Sequence, residues 1–188
     1  MDDQADRVGP GTPVYTVGHG ARSEEEFLAV LVQAGIELLV DVRRYPGSRR
    51  HPHFAREALA ARLPAHGIDY QWWGSSMGGR RKAEESSLRR HGAWENEAFR
   101  AYAAHMDGPE FRKALRQLMD AAVGRPTAIM CAETLWWRCH RRLIADALAA
   151  EEMQVLHLGL GEPRPHRLSE IARVDEDGLL AYDGHPED

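Results

Sequence analysis

The most restrictive feature of the chain is Ile36–Val42, I-E-L-L-V-D-V, an almost continuous apolar run. A strand with one face in water alternates apolar and polar residues, whereas a strand covered on both faces is apolar at nearly every position. The run therefore calls for a parallel sheet with helices packed on both sides. Its neighbours agree. Val14–Val17 (V-Y-T-V) is a short strand that ends at Gly18-His19-Gly20. Ser23-x-x-Glu26 then matches a capping box, and Phe27, Leu28, Leu31 and Val32 recur at helical spacing before Gly35. Strand, helix and buried strand in that order make a βαβ unit, whose crossover is right-handed.

The rest of the chain continues the alternation. Arg56–His66 is expected to be helical with Gly67 as its terminator, and Ile68–Trp73 to be a third strand. Gly74–Lys82 (G-S-S-M-G-G-R-R-K) is expected as a loop, followed by helices over Trp94–Met106 and Glu110–Val123. A fourth strand centred on Thr127–Met130 arrives at Cys131-Ala132-Glu133; a helix over Cys139–Ala150 and a fifth strand at Gln154–Leu158 follow. Asp177-Gly178 signals a hairpin between Arg173–Val174 and Leu179–Tyr182. The expected fold is α/β, a doubly wound, mostly parallel sheet of about five strands with helices on both faces. Its expected organisation is a lead-in over 1–13, the α/β domain over 14–160 and a C-terminal extension over 161–188.

A length of 188 residues fits one domain with a real core, and 43% hydrophobic with 28% charged residues is ordinary for a soluble protein. No stretch approaches the roughly 18–20 apolar residues of a membrane span. The opening M-D-D-Q-A-D-R is acidic where a secretory peptide is basic and then apolar. A cytoplasmic location and no membrane partner are expected. The net charge of −5 argues against coating nucleic acid by bulk electrostatics. Its distribution says more: acids crowd both termini, while arginines gather in three internal segments.

Ligands of such sheets bind beyond the carboxyl ends of the strands, and the unusual residues fall there. His19 follows the first strand, and Asp41, Arg43, Arg44, Arg49 and Arg50 the second. Arg80 and Arg81 follow the third, and Cys131, Glu133, Arg138, Cys139, His140 and Arg141 the fourth. Arginine's planar fork matches phosphate or carboxylate. Arg43, Arg49, Arg50, Arg80, Arg81 and Arg141, with Cys131 and His140, are thus the expected ligand-binding set. An anionic small molecule or nucleic acid is the expected partner.

Cys139, beside three basic residues at an expected helix start, has the setting of a nucleophile. His19, Asp41 and Glu133 are the expected acid and base groups. Competing accounts stand beside these: a cysteine that only packs, an Asp41 that pairs with a nearby arginine, and arginine runs that are solvated surface. Trp72, Trp73, Trp136 and Trp137 serve either as stacking platforms or as core. C-x6-R from Cys131 to Arg138 is one residue longer than the C-x5-R phosphatase loop. Cys131, Cys139 and His140 lack the usual C-x2–4-C metal spacing, so no metal is assigned and the cofactor is unknown.

Taken together, V-G-H, L-L-V-D-V-R-x-x-P-x-S-R-R, G-G-R-R and C-A-E-x5-C-H-R resemble the family called domain of unknown function 488, from about Tyr15 to His157. The resemblance implies an α/β fold and marks these positions as the family's pattern, but it implies no reaction. The chain departs from that pattern with Gly20 and with Leu135-Trp136-Trp137. The functional expectation is an enzyme acting on a phosphate-bearing ligand, such as a nucleotide or a base in nucleic acid. The alternative is a non-catalytic nucleic-acid-binding or nucleotide-sensing module.

Overall fold

Apolar side chains on both sides of the pleat place Leu38–Asp41 inside a sheet, and all of its residues are buried. A computed structural model describes residues 11–47, 50–82, 88–159 and 161–184. Among these, six strands form the main sheet: β1 (Val14–Gly18), β2 (Leu38–Asp41), β3 (Asp69–Trp72), β4 (Thr127–Cys131), β5 (Val155–Gly159) and β6 (Gly161–Pro165). They lie in the order β3-β2-β4-β1-β5-β6, every pairing parallel except β5 with β6. The crossovers carry α1 (Glu24–Gln33), α2 (Arg56–Arg62), α3 (Gly74–Met77), α4 (Glu97–Met106), α5 (Pro109–Ala122) and α6 (Arg141–Ala150). This is an α/β fold consistent with a doubly wound sheet. Among the described residues no helix is long and apolar enough to cross a membrane.

The two faces have separate cores. Phe27 and Leu31 of α1, with Phe54, Leu59 and Leu63, pack on Val17, Leu39 and Met130. On the other face Tyr102, Phe111, Leu118, Leu143 and Leu148 pack on Val14, Val40 and Ile129. The chain therefore leaves β1 and β2 for one face and β4 for the other. The carboxyl ends of these neighbouring strands form the switch point, where a crevice opens.

Local chemistry sets the element ends. Ser23 accepts from the Glu26 N–H while Glu26 accepts from the Ser23 N–H, so both arms of the capping box are present. Helix α6 starts two residues later than its periodicity indicates. Cys139 is extended (φ −130°, ψ 152°) and His140 takes the N-cap position. The C-terminal extension adds strand β6, G-E-P-R-P, which alternation does not reveal. Its prolines lack N–H donors and are tolerated because β6 is an edge strand. The hairpin of β7 (Arg173–Val174) and β8 (Leu180–Ala181) forms around Asp177-Gly178.

A buried polar chain ties this extension to the sheet. The Asp146 carboxylate on α6 accepts from His166 Nε2 (2.9 Å), the Ser169 N–H (2.9 Å), Ser169 Oγ (2.8 Å) and Tyr182 Oη (3.0 Å). His166 Nε2 meets that carboxylate, and its Nδ1 lies 3.0 Å from His157 Nε2. His157 Nδ1 in turn is hydrogen-bonded to the Thr16 hydroxyl at 2.7 Å. Trp136 lies flat on the His157 ring, centroids 3.9 Å apart.

Burial first, then the neighbouring His166 and Arg141, push the His157 pKa down from 6.5 to about 3. The native ring is neutral where the unfolded one is protonated. Unfolding therefore takes up a proton between these values, and stability falls as pH drops from 6.5 toward 3. Urea unfolding at a series of pH values is expected to show a slope from this group of up to about 1.4 kcal/mol per pH unit. His157→Gln is expected to flatten that slope.

Candidate functional site

Two clusters meet at the switch point, joined through the end of β2. The first is built on Asp41, which is fully buried and ion-paired with Arg43. Arg43 Nε reaches Asp41 Oδ1 at 2.9 Å and Nη2 reaches Oδ2 at 2.6 Å, a bidentate fork. Nη2 also donates to the Phe54 carbonyl (2.8 Å), and Tyr70 Oη donates to Asp41 Oδ2 (2.6 Å). His19 stacks on Phe54 with centroids 4.2 Å apart, and its Nε2 lies 3.3 Å from Arg43 Nη1. Its Nδ1–H meets the Gly20 carbonyl (2.9 Å), so Nε2 is the acceptor. Burial, and then the Arg43 charge, push the His19 pKa down to about 4. His19 is thereby a neutral acceptor for Arg43, and Asp41 is committed to Arg43 and Tyr70.

The second cluster comprises Cys131 at the end of β4, Cys139 and His140. His140 Nε2–H donates to the Val42 carbonyl at 3.1 Å, between Asp41 and Arg43. This fixes the tautomer and turns Nδ1 toward both sulfurs, 3.5 Å from Cys139 Sγ and 3.9 Å from Cys131 Sγ. Tyr102 packs beside the imidazole, and a Cβ on Gly79 would stand 3.1 Å from Nδ1, so the G-G-R-R turn closes directly over it. Both cysteines are free and buried. A hydrogen bond from Cys131 holds the Cys139 thiol well below its usual range, with His140 and Arg141 adding to the effect against burial. The same bond and burial push the Cys131 thiol up.

Arg141 lies beneath, 1% exposed, with Nη2 donating to the Glu133 carbonyl. Its Nε has no hydrogen-bond partner, and among the described residues it pairs with no carboxylate. The bend that accommodates it depends on Gly18, where a Cβ would collide with the Glu133 carbonyl and the Arg141 guanidinium.

Above the thiols opens a cleft of about 630 Å³ that is lined by Arg43, Arg44, Arg80, Arg138, Cys131, Cys139 and His140, with Glu133 the one carboxylate among the described residues that line it. Arg80 and Arg138 are exposed and have no hydrogen bond or ion pair among the described residues. Arg80 also has φ 57°, a conformation that a bulky side chain adopts only at some cost.

The expected residues thus separate into groups. Arg43 joins His19 and Asp41 in the first cluster, while Cys131, Cys139 and His140 form the second. Arg141 is buried under the loop, and Arg81 binds the Gly78 and Ser75 carbonyls of its own turn. Glu133 is exposed, accepting from the Leu135 N–H. Arg50 is exposed, and Arg49 lies outside the described residues. Of the tryptophans, Trp72 donates to the Arg43 carbonyl under the Arg56 guanidinium, and Trp136 is taken by His157. Tyr70, Phe54 and Tyr102 complete the site without any signal in the sequence beyond apolar spacing.

Fold and site together define a doubly wound α/β protein with an arginine-lined cleft over a thiol and imidazole cluster. The family described as Domain of unknown function DUF488 matches residues 23–148, most of the chain, and the protein belongs to this family. The match contains both clusters except His19. No curated protein and no solved structure was found to match the chain.

Proposed function

We propose that the protein is an enzyme acting on a phosphate-bearing ligand, held by the arginines of the cleft and transformed over Cys131, Cys139 and His140. The observation that carries this reading is the placement of two arginines without a partner among the described residues, Arg80 and Arg138, at the mouth of a cleft whose floor is that trio. A volume near 630 Å³ suits a nucleotide-sized molecule. The free thiols fit a reducing compartment such as the cytoplasm.

The alternative, a non-catalytic nucleic-acid module, drew on the tryptophan pairs for stacking. With Trp72 and Trp136 engaged in contacts of their own, the aromatic residues lining the cleft among the described residues are Tyr45, Phe99 and Tyr102, of which only Tyr45 is exposed. This favours a compact anionic ligand over an extended strand.

Calorimetric titration with inorganic pyrophosphate and a series of nucleotides tests the binding. Charge-assisted hydrogen bonds of this kind contribute about 1.5 kcal/mol or more each, so Arg80→Ala with Arg138→Ala is expected to weaken binding by roughly 100-fold. Equal affinity in wild type and double variant would remove the cleft from consideration. Cys139→Ser is expected to abolish turnover of the bound ligand while leaving its affinity in place. Binding with no turnover by the wild type would favour the module.

A further inference from the structure

We propose that Cys131, Cys139 and His140 form a binding site for a borderline-soft divalent cation, zinc by preference, whose fourth coordination position faces the arginine cleft. The three ligand atoms lie within 4.8 Å of one another. A tetrahedral zinc with Zn–S near 2.3 Å and Zn–N near 2.05 Å separates sulfur from nitrogen by about 3.6 Å and sulfur from sulfur by about 3.8 Å. The observed S···N distances of 3.5 and 3.9 Å bracket the first of these values. A cation can enter with small side-chain adjustments.

The surroundings argue for a metal beyond the spacing of three atoms. His140 presents Nδ1 because Nε2–H is bonded to the Val42 carbonyl, the arrangement by which proteins orient a metal-binding imidazole. The Gly79 turn and Tyr102 hold the ring from two sides. Soft thiolates and an imidazole select zinc-like ions over magnesium or calcium.

The spacing C-x7-C-H hides the site from motif searches because its ligands come from two places. Cys131 ends a strand, and Cys139 and His140 precede a helix that starts after the 3-10 turn Trp136–Arg138.

Three protein ligands leave the fourth position for water or an anionic oxygen, as catalytic zinc sites do, whereas structural sites are closed. Only this second half of the proposal, the open position, rests on the reading of the cleft as an anion site. Metal binding displaces the remaining thiol protons, which pass to buffer.

Cobalt titration of the reduced full-length protein tests both halves. One Co²⁺ per chain is expected, with thiolate-to-cobalt charge-transfer bands and the intense visible bands of tetrahedral cobalt. Both thiols should then be protected from alkylation. Cys131→Ser and Cys139→Ser are each expected to lose the charge-transfer intensity, and His140→Ala to bind at least tenfold more weakly. The wild-type measurements stand even if a variant fails to fold. Absence of charge-transfer bands in reduced wild type, or alkylation at an unchanged rate with cobalt present, overturns the metal site. If that protein instead forms a Cys131–Cys139 disulfide on removal of reductant, the pair is a redox switch.

Inorganic phosphate is expected to shift the visible cobalt bands in wild type but not in the Arg80→Ala, Arg138→Ala double variant. An unchanged spectrum overturns the open position alone. If the cobalt-loaded wild type binds no phosphate at all, the cleft reading fails and the metal site stands.

Discussion

Replacing Arg43 with alanine lowers the free energy of unfolding by about 3–5 kcal/mol, the usual cost of removing one partner from a buried ion pair. The reason is Asp41, which has no exposed surface. Without the guanidinium its carboxylate keeps only Tyr70 Oη and the Arg43 backbone N–H as donors. The Phe54 carbonyl also loses its partner. The site is disturbed with the fold, because His19 loses the cation that, after burial, holds its pKa down. NMR titration is expected to move His19 upward from about 4. Converting the pair together, Asp41→Asn with Arg43→Met, should recover at least half of the loss, since no buried charge is then left unpaired. A loss below about 1 kcal/mol for Arg43→Ala in urea unfolding would show that the pair is not the brace inferred for β2.

A loss of similar size, about 3–5 kcal/mol, is expected for Asp146→Ala, because unsatisfied buried donors cost about 1–3 kcal/mol each. His166 Nε2–H, the Ser169 N–H and hydroxyl, and Tyr182 Oη all lose their acceptor at once. Partial relaxation keeps the total below the simple sum. The effect should be local in character. Hydrogen exchange is expected to accelerate across β6, Ser169 and the β7–β8 hairpin before it changes in β2 or β4. Trp136, which stacks on His157 in the same chain of hydrogen bonds, should report the loosening in its fluorescence. Uniform acceleration throughout the sheet would mean that the extension is integral to global folding rather than docked through Asp146.

These two residues show where sequence is informative and where it stops. The apolar run at Ile36–Val42 determines a sheet covered on both faces, and the switch point follows from the order of strands and helices. That logic alone brings Arg43, Arg80, Arg138, Cys131 and Cys139 to one edge, as the structure shows. Alternation also puts Asp41 and Arg43 on the same side. It cannot reveal that Arg43 turns inward, because this depends on the Phe54 carbonyl from another crossover and on Tyr70 in the adjacent strand. Asp146 reads as an isolated acid on an apolar helix. Its four donors come from residues 166, 169 and 182, and no local pattern couples them. Cys131, Cys139 and His140 are legible as neighbours of one edge, but their spacing does not show that they touch: the loop between Cys131 and Cys139 folds back through a 3-10 turn, so residues eight apart in sequence come together.

The central claim is that loops from β2, β3 and β4 converge on one anion-binding cleft. NMR of the protein labelled at its arginine side chains, titrated with inorganic pyrophosphate, examines it residue by residue. Saturable shifts are expected at the Nε–Hε groups of Arg44, Arg80 and Arg138 and at the backbone of Gly79, Ala132 and Cys139, all with one dissociation constant. No shifts at low salt, or shifts scattered over surface arginines such as Arg112 and Arg116 without saturation, would contradict the account.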